Sequence, residues 1–211
     1  MLRNRNDTVP DITPARKIPK TAALVLAGGE GKRMGGDKPF RELAGKPLIA
    51  HVIAMARQQC DIVMISSNEN PARFAAFDCM VIADYPMVGQ GPLGGLLGGL
   101  RALPDDIDWL ATFPVDCPVL PDDLVQKLAT AAQGAGRLAA FAQYDDRDHF
   151  LAAVWHRDGA ETIETRLAND DRRVGGALRA VEAVRVTIPI RSGQPVLFAN
   201  INTPDDLAIL K

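Results

Sequence analysis

The chain has 211 residues, 47% hydrophobic and 5% aromatic, enough for one substantial core and, by length, for one domain or at most two. Its 24 Lys and Arg stand against 26 Asp and Glu, a formal net charge of −2, which excludes a broad electrostatic grip on nucleic acid or on an anionic membrane. Any anion site must therefore be local.

Residues 1 to 20 read as a loose polar arm, with Arg, Asn, Asp and three prolines and no apolar segment fit for a signal peptide or membrane anchor. Tyr85 to Leu100, the longest uncharged stretch, is rich in Gly and Pro and shorter than the ~20 apolar residues a membrane helix needs. A soluble, cytoplasmic protein is expected. Cys60, Cys79 and Cys117 lack partners at metal-site spacing, suit a reducing compartment better than a disulfide frame, and read as small apolar residues.

Short apolar runs alternate with longer amphipathic ones. Ala22 to Ala27, Asp61 to Ser67, Cys79 to Ala83 and Trp109 to Phe113 read as buried strands, near-continuous in apolar residues as central parallel strands are. Helix-length stretches lie among them at Pro47 to Gln59, Leu93 to Leu103 and Pro121 to Ala132, the last with Pro121 in its first turn. This alternation predicts an α/β fold, a mainly parallel sheet covered on both faces in a Rossmann-like three-layer αβα arrangement.

After Gly134 the rhythm loosens. Leu138 to Gln143 and Leu151 to His156 flank the polar turn Tyr144 to Asp148, which predicts a hairpin forming an antiparallel edge. Helices are expected near Ala160 to Ala168 and Val174 to Val181, a strand near Val184 to Ile188, and a C-terminal helix capped by Thr203 with Pro204 at its first position. We read residues 21 to 211 as one domain, with a nucleotide-binding half to residue 134 and an acceptor half from 135.

Directly after the first strand stand Gly28, Gly29, Gly31, Gly35 and Gly36, interleaved with Lys32, Arg33 and Lys38. Glycines let successive N–H groups converge on phosphate oxygens, and the cations bring charge to the same sheet edge. The spacing matches neither a Walker loop, which needs Ser or Thr after GK, nor a usable GxGxxG dinucleotide fingerprint. A polyphosphate-holding loop is the reading.

"LAGGEGKRMGGDK" followed by "LAGKPLIAHV" resembles the signature of the nucleotidyltransferases related to the molybdenum cofactor guanylyltransferase, close to LAGGxxxRMGxDK and then LxGKPL. "VIADYP", "GPLGGL", "FPVDCPVLP" and "NINTPDDL" are similar to further segments of that family, in order, from about residue 21 to the end. The resemblance implies an enzyme moving GMP from GTP to the terminal phosphate of molybdopterin, with Mg²⁺ as cofactor and pyrophosphate as by-product. It implies backbone contact with the nucleotide at Leu26, Ala27, Gly28 and Gly29, phosphate-facing roles for Arg33 and Lys38 but none for Lys32, and a metal-binding aspartate at Asp116. Asp84 matches an acidic residue of the nucleotide site, and Ser66 or Asn68 a nucleotide-contacting polar residue. For both aspartates a turn or capping role remains the alternative.

Gly91, Pro92 and Leu93 match a segment bordering the base pocket. Gly94, Gly95, Gly98 and Gly99, at helical spacing, equally fit close packing against the sheet. On the acceptor side Arg147 and His149 resemble an RxHP stretch, with Phe150 where proline is usual, and Asn200 and Asn202 match paired asparagines; local turn bonding explains these equally well. His51 and His156 read as structural. A molybdenum cofactor cytidylyltransferase, a sugar-phosphate nucleotidyltransferase and a nucleotide-binding sensor are the competing readings. Delivery proteins of the cofactor are conceivable partners, nucleic acid and membrane are not, and a monomer is expected.

Overall fold

The computed structural model describes residues 19–28, 37–190, 196–201 and 206. Its first strand, β1 (Thr21–Leu26), is six consecutive buried residues with no polar alternation, as a strand covered on both faces requires. Parallel to it lie β4 (Ile62–Ser66) on one side and β6 (Trp109–Pro114) on the other, with β5 (Met80–Ile82) parallel beyond β4. Two short strands, β2 (Glu42–Leu43) and β3 (Lys46–Pro47), form a separate antiparallel pair.

The sequence-predicted hairpin is formed by β7 (Ala139–Tyr144) and β8 (Arg147–His156), whose two-residue turn puts Asp145 and Asp146 at φ 49 and 55, the left-handed pair of a type I′ connection. β8 runs antiparallel to both β6 and β7, and β9 (Val184–Thr187) adds parallel to β7. The seven-stranded order is β5-β4-β1-β6-β8-β7-β9, so the antiparallel strand lies in the flank that β9 closes. One sheet thus runs through both halves of the chain.

Alternation along β1 divides the core. Ala23 and Val25 pack with α1 (Leu48–Gln59) and α3 (Leu124–Ala135), while Ala22, Leu24 and Leu26 pack with α2 (Gly91–Arg101), α4 (Ala160–Ala168) and α5 (Val174–Ala180). On α1 the buried positions Leu48, Ile49, Val52, Ile53 and Ala56 make one apolar stripe. The three-layer expectation holds.

Two helix starts differ from the sequence reading. α3 begins at Leu124 rather than Pro121, because the Gln59 side chain from the end of α1 serves as its cap: Oε1 accepts the Val125 N–H at 3.0 Å and Nε2 donates to the Pro121 carbonyl at 3.2 Å. α2 begins at Gly91, two residues earlier than expected, with Pro92 in its first turn. The C-terminal helix apart from Asp206, its Thr203 cap, Asn202, and the loop residues Gly29 to Gly36, Arg33 among them, lie outside the described residues. Among the described residues no helix is long and apolar enough to cross a membrane.

The glycines of α2 allow its approach to the sheet. A Cβ at Gly98 would stand 2.4 Å from the backbone oxygen of Ala83, and one at Gly99 2.7 Å from Leu24 Cδ2. Close packing is therefore what Gly94 to Gly99 provide, as the helical spacing of these glycines indicated.

Candidate active site

β1, β4 and β6 end in register, Leu26 beside Ser66 on one side and Pro114 on the other. The ladder continues one residue further, where the Ala27 N–H donates to the Ser66 carbonyl at 3.0 Å and the Val115 N–H to the Leu26 carbonyl at 3.2 Å. Beyond that the chains diverge, and a cavity of about 500 Å³ opens between them. This is the carboxyl edge, where open parallel sheets place ligands.

Leu26, Ala27 and Gly28 form the floor nearest β1. Among the described residues a Cβ on Gly28 would meet only the Ser66 carbonyl oxygen, at 3.9 Å, so their packing does not demand glycine there. The space that a side chain would take belongs to the cavity.

Lys38 reaches the same cavity from the far end of the glycine-rich loop. Asp37, at φ 56, turns the chain, and the short 3-10 helix Lys38–Phe40 follows. Lys38 Nζ stands 2.9 Å from Oδ2 of Asp116, the second residue past β6, with both side chains largely buried at 16% and 28% exposure. The Asp116 carbonyl accepts the Ile201 N–H at 2.7 Å, which ties the C-terminal segment to the site. Asp116 lines the cavity from a turn just past β6, and no helix begins at it among the described residues.

Asp84 and Asn68 line the opposite wall and are also tied into it. Asp84 Oδ2 accepts the N–H groups of Gly89 at 3.1 Å and Gln90 at 3.0 Å, and Asn68 Oδ1 accepts the Asp84 N–H at 2.9 Å. The turn reading of Asp84 and its cavity placement are thus both met. Ser66 lines the cavity as well, with its hydroxyl against α2: a Cβ at Gly95 would be 2.2 Å from Ser66 Oγ.

Of the proposed base-pocket residues, Gly91, at φ 67, and Pro92 face the cavity. Leu93 does not: it is fully buried in the core beneath α2, because the helix has begun and turns it inward. Sequence reasoning missed Gly89, Pro114, Val115 and Leu151. Leu151 is brought in by an irregularity in β8, where the pairing jumps from Ala153 to His149 opposite the adjacent Phe141 and Ala142. No local signal reveals such a register shift.

The acceptor-side residues are dispersed. His149 packs on the Phe198 ring at 4.5 Å between centroids, and burial first of all lowers its pKa below the ordinary histidine value. Arg147 is exposed at the hairpin, and Asn200 is exposed in the C-terminal segment. Phe150 is half-buried against the core, its ring 5.4 Å from that of Phe141 and closely covering Gly175. His51 bonds the Leu43 carbonyl at 2.8 Å and His156 packs edge-on against Trp109, structural roles as read. Burial pushes the Cys60 and Cys117 thiols up to about 12, so neither is a thiolate near neutrality.

A glycine-cleared cavity at the carboxyl edge, with a lysine and an aspartate meeting over it, is the arrangement of an α/β nucleotidyltransferase. Residues 23–186 match the MobA-like NTP transferase domain, and the chain belongs to that family. It is 41% identical over 201 residues to the molybdenum cofactor guanylyltransferase of Rhodopseudomonas palustris (strain BisB5), covering 92% of this chain and 94% of that protein. With the enzyme of the same name from Rhodobacter capsulatus the identity is 40% over 195 residues, covering 90% and 94%. Among solved structures, molybdopterin-guanine dinucleotide biosynthesis protein A from Archaeoglobus fulgidus superposes with a TM-score of 0.74 at 23% identity over 89% of this chain and 95% of that one, a likeness of fold. The fold is also that of 4-diphosphocytidyl-2C-methyl-D-erythritol synthase from Anaerococcus prevotii, at TM-score 0.64 and 14% identity over 91% and 96%. Fold alone therefore does not choose the base.

Proposed function

We propose that this nucleotidyltransferase moves GMP from GTP to the terminal phosphate of molybdopterin, giving the guanine dinucleotide form of the cofactor. The observation that carries the reading is the meeting of Lys38 and Asp116 over the cavity beside Gly28. The guanylyltransferase names of relatives 40% and 41% identical support the choice of donor and acceptor.

The reaction is an in-line displacement at phosphorus. A terminal phosphate oxygen of the acceptor forms a bond to the α-phosphorus of GTP as the bond from that phosphorus to the bridging β-oxygen breaks, and pyrophosphate leaves with the electron pair. No covalent enzyme intermediate is needed, and catalysis consists of alignment and charge stabilisation. The backbone at Leu26 to Gly28 and at Gly91 and Pro92 holds the nucleotide. Lys38 transfers its ammonium from Asp116 to the phosphates as their charge shifts towards the leaving group, and Arg33 supplies a second cation from the same loop.

The metal is Mg²⁺ in this reading, with Asp116 as its protein ligand. Among the described residues no three His, Cys, Asp or Glu cluster to cage an ion, whereas the Asp116 carboxylate at the cavity fits an ion that takes most of its oxygen ligands from the nucleotide and water. Bound there, it would offset the negative charge on the reacting and leaving phosphates. Incubating the purified chain with GTP, Mg²⁺ and molybdopterin should release pyrophosphate and form the guanine dinucleotide. No pyrophosphate above a protein-free control would refute the proposal.

A further inference from the structure

Beside the turn that carries Lys38 lies a cluster of side chains that does not line the cavity. The 3-10 helix Pro71–Phe77, started by Pro71 and by Asn70 Oδ1 accepting the Ala72 N–H at 3.0 Å, lies beside the turn that carries Lys38. From it the Arg73 guanidinium donates through Nη2 to Asp37 and through Nη1 to Glu69, and its Cζ sits 4.7 Å from the centroid of the Phe40 ring. Phe40 packs in turn on Phe74 at 5.4 Å and Phe77 at 6.4 Å. Asp37 immediately precedes Lys38, and Phe40 closes the same short helix; Glu69 follows the cavity-lining Asn68.

We propose that Arg73 is a positioning residue for nucleotidyl transfer, holding Asp37 and Phe40 so that Lys38 is presented to the phosphates. The inference rests on the function proposed above. Three features single out Arg73. Its planar fork meets two carboxylates and a ring face at once, a combination no other side chain offers. Asp37 sits in the left-handed region, φ 56, so its backbone sets the direction in which the chain enters the short helix of Lys38. And Arg73 spans from the exit of β4 to the exit of the glycine-rich loop, the two segments between which the nucleotide must lie.

An ion pair this exposed adds little to global stability, so the effect expected is kinetic. Displacing a charge partner of the transition state by about 1 Å is enough to cost about 10²-fold. Arg73→Ala should lower kcat by about 10- to 100-fold with an unchanged circular dichroism spectrum. Arg73→Lys should recover part of that loss, keeping the charge but not the fork.

The deciding experiment is a double-mutant cycle with Lys38→Ala. If Arg73 acts through Lys38, Arg73→Ala should change kcat little in the Lys38→Ala background. An equal fold-loss in both backgrounds, or none in either, overturns the proposal. Asp37→Asn, read in the same cycle, replaces Arg73→Ala if that variant does not fold. Repeating the cycle with GTP affinity as the readout keeps the test decisive without any acceptor, so failure of the wild-type chain to use molybdopterin would count against the proposed function and not against the role of Arg73.

Discussion

Lys38 and Asp116, 78 residues apart in the chain, meet with Nζ 2.9 Å from Oδ2 over the cavity at the carboxyl edge of the sheet. In the proposed reaction Asp116 would hold the metal and Lys38 the phosphates, so this contact would pair two groups that the substrates must separate. Nucleotide binding should therefore release Asp116 as it engages Lys38. Lys38→Ala should lower turnover by about 10²-fold or more, the loss seen when a preorganised charge partner is removed. It should also tighten Mn²⁺ binding to the nucleotide-free protein, measured by paramagnetic resonance. Unchanged turnover, or weaker Mn²⁺ binding, would contradict the exchange.

Asp116→Asn keeps the shape and the backbone bond to Ile201 but removes the charge. Turnover with Mg²⁺ should collapse, while the unfolding free energy should change by no more than ~1 kcal/mol, as is usual for a partly solvated position. Destabilisation of several kcal/mol with activity retained would make Asp116 a structural residue.

Two glycine substitutions separate packing from helix propensity. At Gly98 a Cβ would lie 2.4 Å from the Ala83 carbonyl oxygen, a backbone atom that yields only by moving β5 or α2. Gly98→Ala should cost about 1–3 kcal/mol in denaturant unfolding despite its better propensity. Gly134, near the end of α3, has none of the described atoms within 4 Å of the same position. Gly134→Ala should stabilise by about 0.5–1 kcal/mol.

His149 carries a pH prediction. Burial first of all holds its folded-state pKa below the unfolded value of about 6.5, with nearby Arg147 lowering it further and a backbone bond at Tyr144 and the Asp148 charge acting against. The unfolded chain therefore takes up the proton first. The histidine's contribution is complete above about pH 6.5 and is lost as pH falls through the folded pKa. Melting temperatures between pH 5 and 7.5 should show this slope in the wild type and a reduced one in His149→Phe; an identical slope in both would place the titration elsewhere.

Residues 21 to 134 are the more legible because their signals are local. Six successive apolar residues announce β1, a 3.6-residue stripe announces α1, and glycines among cations after a buried strand announce an anion site. What escaped depends on contacts remote in sequence. Gln59 caps α3 across a gap of more than sixty residues, Arg73 reaches Asp37 across 36, and Leu151 enters the cavity through a register shift set by the pairing of β7 with β8. Leu93 matched a family segment at the base pocket, yet the helical turn begun at Gly91 points it into the core.

Nucleotide choice tests the central claim most directly. The purified chain is given equal GTP, CTP, ATP and UTP with Mg²⁺ and molybdopterin, and the dinucleotide products are separated by mass. A pocket matched to guanine leaves buried donors and acceptors unpaired when cytosine enters, at about 1–3 kcal/mol each, so two mismatches give discrimination on the order of 10² or more. The account predicts the guanine dinucleotide as the overwhelming product. A cytosine dinucleotide in comparable amount would contradict it.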